Sequence, residues 1–596
     1  MNNKQLPDES RTWLNRWIRT RFVFFAHRAI GFREKPGLIL GIVFCFFMLL
    51  SLNASSLQAT DGEPDLNAAQ AVTTQAVTTQ TVTVDENSSL AEISSGLAVF
   101  DWVIVFVYAV STILLGWYFS RRQKNTSEYF IGNGRMNPIL IGVSLFATLL
   151  STVSYLAIPG EILGKGPLLL AESLGLPIVF YIVGYCLLPV YMQQRVTSAY
   201  ELLEARLGLS IRLLGASMFV ILRLVWMSLL IYLTAYALTT ILSLPKSYIP
   251  AIVLVTSIVS ITYTSLGGLR AVVITDLIQT ILLFSGAILV IGMVSWKMGG
   301  FGWFPTQWDP NWDTQPLFSP DPGTRVTFVG TIVSMVIWFV ATSGGDQVSV
   351  QRFMSTRDVW AARRSLAIQL SLSLVIGFTL AMVGFSMLGY FQEFPSALPA
   401  HMDLKTNADD IFPYMISHQL PIGISGLVVA AMFAAAMSSI DSGVNSITAV
   451  ILTDFIDRLR KSPQSEKSHL LFARCLAFGI GSVVVVMSFV MGAIPGNMTA
   501  ITSKTSNLLT TPLFCLFFFA LFVPFSKPLG VWIGAICGTA TAVLIAFSGP
   551  IFGYDEQTGL DPISFQWIAP VALAVNIATG SLISLMIPNQ KKETSA

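Results

Sequence analysis

The chain has 596 residues, of which 53% are hydrophobic and only 11% charged, against roughly 25% charged in an ordinary soluble protein; that deficit excludes a soluble globular enzyme. Its net charge is +2, with Lys and Arg spread along the chain, so it lacks the basic stripe that marks a nucleic-acid binder. The solvent it is built for is a lipid bilayer.

In chain order, Arg11, Arg16, Arg19, Arg21, Arg28, Arg33 and Lys35 precede the apolar run "LILGIVFCFFMLLSL" and then the small residues "NASSLQA". This is the layout of a secretory signal with a long basic region. Cleavage is expected near Ala59; the alternative is a retained helix with its N-terminus inside, and both place the next segment outside. Residues 60–96 repeat "QAVTTQAVTTQTVTV", which offers too little varied apolar surface to build a core and reads as a disordered extracytoplasmic tether.

A membrane-crossing helix needs about 20 mainly apolar residues. That ruler places thirteen crossings at about 97–119, 138–164, 174–194, 213–243, 247–266, 271–295, 325–345, 366–390, 422–456, 471–491, 501–524, 530–548 and 564–587: a leader crossing, then crossings one to twelve. With the 60–96 segment outside, the cytoplasmic loops hold twenty Lys and Arg residues, including Arg135, Arg212, Arg270 and Arg352. The opposite loops hold Lys165, Lys246, Lys297, Arg325 and Lys405. By the positive-inside rule this orientation is expected, with the tail 588–596 cytoplasmic.

Two interruptions stand out. Crossing one reads "LLSTVSYLAIPGEILGKG", where Ser151, Thr152 and Ser154 precede Pro159 and Gly160; crossing six ends its apolar run in Thr342, Ser343, Gly344 and Gly345. Five crossings separate them, so the second half begins with opposite orientation. That is the pattern of a five-plus-five inverted repeat, in which unwound backbone near the midplane offers carbonyl oxygens to an ion or substrate.

Ionisable groups within spans are costly and therefore candidates for function. Asp276, at the start of crossing five, suits a hard monovalent cation, or else pairs with Arg270 or another cytoplasmic Arg. In crossing eight, "AAMFAAAMSSIDSGVNSITAVILTDF", Ser438, Ser439 and Ser442 offer hydroxyls that would form a sodium cage with carbonyls of Ala147 and Leu150 in crossing one; Asp441 beside them is left unassigned. Arg223 stands near mid-membrane in crossing three. It needs a partner, either a substrate carboxylate held bidentately or an internal acid. Lys504 reads as solvated or snorkelling.

The five Cys, at 45, 186, 475, 515 and 537, show no metal or disulfide spacing. The four His, at 27, 401, 418 and 469, fall in loops or the basic leader, and no GxxxxGK[ST] motif is present. Neither an enzyme nor an ATP-driven pump is expected, and no cofactor.

The stretch "YTSLGGLRAVVITDLIQ", with "GDQVSVQRFMSTRD" and "MSSIDSGVNSITAVILTDF", resembles the sodium/solute symporter family over about 97–587. The resemblance implies an all-α polytopic membrane protein with a LeuT-like five-plus-five inverted repeat, a leader helix and two further C-terminal helices. It implies alternating access driven by Na+ as coupling ion. The sodium site would use carbonyls of Ala147, Leu150 and Ala435 with hydroxyls of Ser438 and Ser439. Asp276 would support a second ion or ion release. The substrate would lie between crossings one, two, three, six and ten, near Ser151, Ser154, Arg223, Phe339 and Thr342. Where sugar carriers of the family place amides this chain has Ser154 and Phe339, and where they place a gating tyrosine it has Thr342, so sugar recognition by the same contacts is not expected. "YLAIPGE", "DQVSVQR" and Arg223 point instead to a small organic anion, a monocarboxylate or sialic acid-like solute. A sodium/sugar symporter and a proton-coupled carrier are the alternatives. The protein is expected in the inner (plasma) membrane, working as a monomer.

Overall fold

The computed structural model describes residues 97–121, 126–194, 198–313, 316–459, 465–493, 498–555 and 559–588. The signal-like segment, the Thr/Gln tract and the tail from 589 lie outside these residues.

The described chain is almost wholly helical. The leader is α1 (Val99–Ser120), and crossing one is the pair α2 (Pro138–Leu149) and α3 (Thr152–Lys165), bent by 65°. Crossing two, α4 (Pro167–Gln193), begins as 3-10 helix and carries a π-helical turn at Ile182–Leu187. Crossing three is α5 (Leu209–Ile241). Crossings four and five are α6 (Ile249–Lys297), two helical arms that meet at Gly268 with no loop between them; together they hold about 70 Å of helix at 1.5 Å per residue, enough to cross the hydrocarbon core twice. The chain folds back at Gly268, whose φ of 60° and ψ of −176° suit glycine alone.

Crossing six is α7 (Phe328–Gly345), followed by the short α8 (Gln347–Met354). Then come α9 (Val359–Glu393), the short α10 (Ala408–His418), α11 (Ile424–Val450), α12 (Glu466–Ser488), α13 (Met498–Phe522), α14 (Pro528–Ala546) and α15 (Ile568–Met586). Eleven stretches are long and apolar enough to span, twelve with the bent pair; taking α6 as two crossings gives the thirteen expected, among the described residues.

Burial orders the helices from centre to rim. Most residues of α11 are buried, whereas in α1 only Asp101, Tyr108, Thr112 and Gly116 are, so α11 is the hub and α1 lies at the rim. α14 and α15 form the terminal pair. Gly530, Gly534 and Gly538 line their seam, where a Cβ on Gly534 would come within 2.9 Å of the Asn576 carbonyl oxygen.

The break in crossing one is not at Pro159 and Gly160. Both lie inside α3; the extended residues are Leu150 and Ser151. Gly160 answers to packing, since a Cβ there would come within 2.8 Å of the Ala408 carbonyl oxygen of α10. The break in crossing six falls at Asp346, one residue past the Thr-Ser-Gly-Gly run. Each second half starts with a polar cap: Ser151 Oγ accepts from the Ser154 N–H at 3.2 Å, and Asp346 Oδ1 from the Val348 N–H at 2.8 Å.

Candidate ion and substrate site

A helix leaves its last four carbonyls without intrahelical partners, and the ends of α2 and α7 are buried. At the end of α2, side chains of α11 meet this need. Ser438 Oγ donates to the Ala147 carbonyl at 2.7 Å and lies 3.1 Å from that of Ala435; Ser439 Oγ donates to the Thr148 carbonyl at 3.0 Å. Three of the five expected sodium ligands, Ala147, Ala435 and Ser438, therefore meet; Ser439 bonds the next carbonyl, that of Thr148, and Leu150 is the extended residue beside them. At the end of α7 the Tyr191 hydroxyl donates to the Gly344 carbonyl, and that of Tyr200 to the Gly345 carbonyl at 3.2 Å.

Next to the serines lies a buried polar network. Asp276 is fully buried; its Oδ2 accepts from Ser144 Oγ at 2.5 Å and stands 3.7 Å from Arg352 Nη2. Arg352 Nε donates to Ser144 Oγ at 2.8 Å and Nη2 to Ser442 Oγ, which lies 2.9 Å from Thr148 Oγ1. Asp441 accepts from the Tyr263 hydroxyl. Arg270, a candidate partner for Asp276 by sequence, is instead 3.0 Å from Glu128.

The count of basic loop residues includes Arg352 and Arg212, yet both are buried. Arg352 sits in α8, which folds back into the protein, and Arg212 binds Asp454 at 2.5 Å. Lys504 is likewise not solvated: it is buried and 2.6 Å from Asp561. His418 ends α10, and His469 lies in the first turn of α12, 3.0 Å from Asp457.

A cavity of about 270 Å³ lies against the break in crossing one. It is lined by Phe146, Leu150 and Ser154 of crossing one, Glu172 of α4, Trp226 of α5, Trp338 and Phe339 of α7, and Thr502, Ser506 and Asn507 of α13. Of the expected substrate residues, Ser154 and Phe339 line it, whereas Ser151, Arg223 and Thr342 do not. Ser151 is the cap of α3, 3.2 Å from the Ser154 hydroxyl. Thr342 is buried in the last turn of α7. Arg223 lies one turn before Trp226, paired with Asp346 at the second break, and its Nε has no partner among the described residues. Thr502 Oγ1 and Asn507 Oδ1, both on the lining, are also without partners among the described residues.

Sequence reasoning does not single out Asp346, Arg352, Ser144, Glu172 or Asn507. For the first two a signal is present: an Asp and an Arg in "GDQVSVQR", one capping and one within a short helix just after an interrupted span.

Comparison with known proteins fits this geometry. A sequence model of the sodium:solute symporter family matches residues 129–538. The sodium/sialic acid symporter SiaT of Proteus mirabilis is 33% identical over 402 residues, covering 64% of this chain and 76% of that protein. The sodium/sialic acid symporter NanT of Aliivibrio fischeri is 27% identical over 518 residues, covering 83% and 98%. A solved structure of a substrate-bound, outward-open Na+-coupled sialic acid symporter superposes with a TM-score of 0.70 at 26% identity, covering 82% of this chain and 98% of that one. The fold is the LeuT-like inverted repeat with a leader helix, and the chain belongs to the sodium:solute symporter family.

Proposed function

We propose that this sodium-coupled symporter carries a small sugar acid, a carboxylate borne on a hydroxylated body, through the cavity between α3, α4, α5, α7 and α13. The observation that carries the reading is the lining: hydroxyls of Ser154, Thr502 and Ser506 and the amide of Asn507 face aromatic walls at Trp226, Trp338 and Phe339. Arg223 lies one turn beyond. Hydroxyls and an amide suit a polyol, aromatic faces suit its ring edges, and a guanidinium suits a carboxylate. For an acid to reach Arg223, the guanidinium must exchange Asp346 for substrate, which couples substrate arrival to the second break. Transport of sialic acid by relatives agrees with this reading.

Sodium, in this reading, binds among the carbonyls of Ala147, Leu150 and Ala435 and the hydroxyls of Ser438 and Ser439. It fixes the α2–α3 break against α11 and completes the adjoining cavity wall, so that each ligand favours the conformation the other needs. The second oxygen of Asp276 has no partner among the described residues, which supports a second ion there or a relay for its release. Each inward charge adds about 2.3 kcal/mol per 100 mV of membrane potential. The basic loops face the cytoplasm, and one chain holds every element of the site, so the monomer is the working unit.

A neutral sugar is the second reading, favoured by Glu172, the one acidic residue on the lining. Uptake of labelled sialic acid, pyruvate, glucose and proline into proteoliposomes separates the readings when the inward gradient is sodium or, at fixed pH, potassium. Sodium-dependent accumulation of the sugar acid is the expected result. Accumulation of glucose alone overturns the role of Arg223, and uptake indifferent to sodium overturns the ion site.

A further inference from the structure

A second cavity lies at the end of α1 that meets the fold-back of α6. Its volume is about 600 Å³, and it is lined by Phe119, Gly132, Arg135, Met136, Arg270 and Ile274. Three separate pieces of chain meet there: the end of α1, the loop leading into α2, and the first turns after Gly268. Gly132 turns the loop with a φ of +53°, and a Cβ on it would come within 2.7 Å of Met136 Sδ, so the loop is held closely at this point.

Among the described residues the charges in the cavity do not balance. Arg270 spends Nη1 on Glu128, while 44% of its side chain stays exposed. Arg135 is exposed and has no charged partner among the described residues. Two guanidinium groups facing one space repel each other unless an anion sits between them, and a phosphodiester matches their donor geometry.

The surroundings say which phosphodiester. Trp117 and Tyr118 are 47% and 44% exposed, with Arg121 lying 3.8 Å over the Trp117 ring; this is the residue set of a membrane–water interface. From Ile274 on the cavity wall, the same face of α6 continues through Ile278 and Ile281, 38% and 58% exposed. That is an apolar track at helical spacing leading from the cavity toward the hydrocarbon. A headgroup between Arg135 and Arg270 would lay its acyl chain along this track, which a free phosphate has no use for.

We infer that this cavity is a binding site for an anionic phospholipid, with the headgroup phosphate held by Arg135 and Arg270 and an acyl chain on the Ile274, Ile278 and Ile281 face. The occupied site bridges α1, the approach to α2 and the α6 fold-back, and so steadies the base of the broken crossing.

The test is native mass spectrometry of the full chain released from vesicles of equal phosphatidylglycerol and phosphatidylcholine. Retention of phosphatidylglycerol over phosphatidylcholine is expected. Arg135→Gln should cut it about fivefold, roughly the weight of one basic residue at an anionic surface. Arg135→Lys should keep part of the charge-driven retention. Arg364→Gln, at another exposed basic residue, should leave it unchanged. Equal retention of both lipids, or the same loss in the Arg364 and Arg135 variants, overturns the site. Displacement of the lipid by glycerol phosphate assigns the cavity to a soluble phosphate and overturns the lipid reading.

Discussion

Ser438 and Ser439 donate to carbonyls that α2 cannot satisfy by itself, and each hydroxyl oxygen keeps lone pairs for a cation. Removing one hydroxyl orphans a buried carbonyl and, in the proposed site, takes away an ion ligand, a loss of about 1 kcal/mol, or about fivefold in an equilibrium constant. Ser439→Ala should raise the sodium concentration for half-maximal uptake by about that factor. Unchanged sodium dependence removes this residue from the ion site. The corresponding carbonyls of Gly344 and Gly345 are met by phenols of Tyr191 and Tyr200. A ring fills the space where a serine would leave room, which gives a physical reason for placing the ion at one break and not at its repeat-related partner.

Among elements, the two breaks are alike in construction and unlike in chemistry. Ser151 caps α3 as a neutral residue, whereas Asp346 caps α8 and also pairs with Arg223. Asp346→Asn keeps an oxygen for the Val348 N–H and loses the ion pair; Asp346→Ala loses both. The alanine variant should be less stable than the asparagine variant by about 1 kcal/mol, the worth of a helix N-cap, seen as a lower thermal unfolding midpoint in detergent. Equal midpoints would show that the cap carries no weight.

The breaks themselves are legible in the sequence because small and hydroxylated residues interrupt otherwise apolar runs. The partners are not. Arg223 and Asp346 lie 123 positions apart, and Arg352 and Asp276 lie 76 apart, so no local pattern joins them. Counting basic residues assigns Arg352 and Arg212 to water, although the chain folds both back inside. Pro159 draws attention from the true break because an interior proline loses a backbone bond and crowds the carbonyl four residues back, yet α3 continues through it, with Gly160 lying close against α10.

For the whole molecule, acidity acts where α10 packs on the C-terminal half of α3. Asp409 is pushed up to about 6, chiefly by burial and also by Glu161 and Asp410 nearby, against the pull of the Met498 N–H and of Arg325. A carboxyl raised from its ordinary 3.8 to about 6 holds its proton more tightly folded than unfolded. Its contribution to stability is therefore full below about 4 and declines as pH rises to about 6. Asp409→Asn should flatten that decline; an unaltered profile of unfolding midpoint against pH would assign the slope to other groups. A different dependence is expected at Gly268. Crossings four and five meet there without a connecting loop, so the corner has no slack, and displacement of one arm must be delivered to the other as by a bell crank. Lengthening the corner by a Gly-Ser pair should leave sodium binding in place and abolish uptake, and sustained uptake would show that the two arms travel separately. The turn that spares the chain a loop thus also serves as a rigid linkage, and its stiffness sets how much of one arm's swing the other receives.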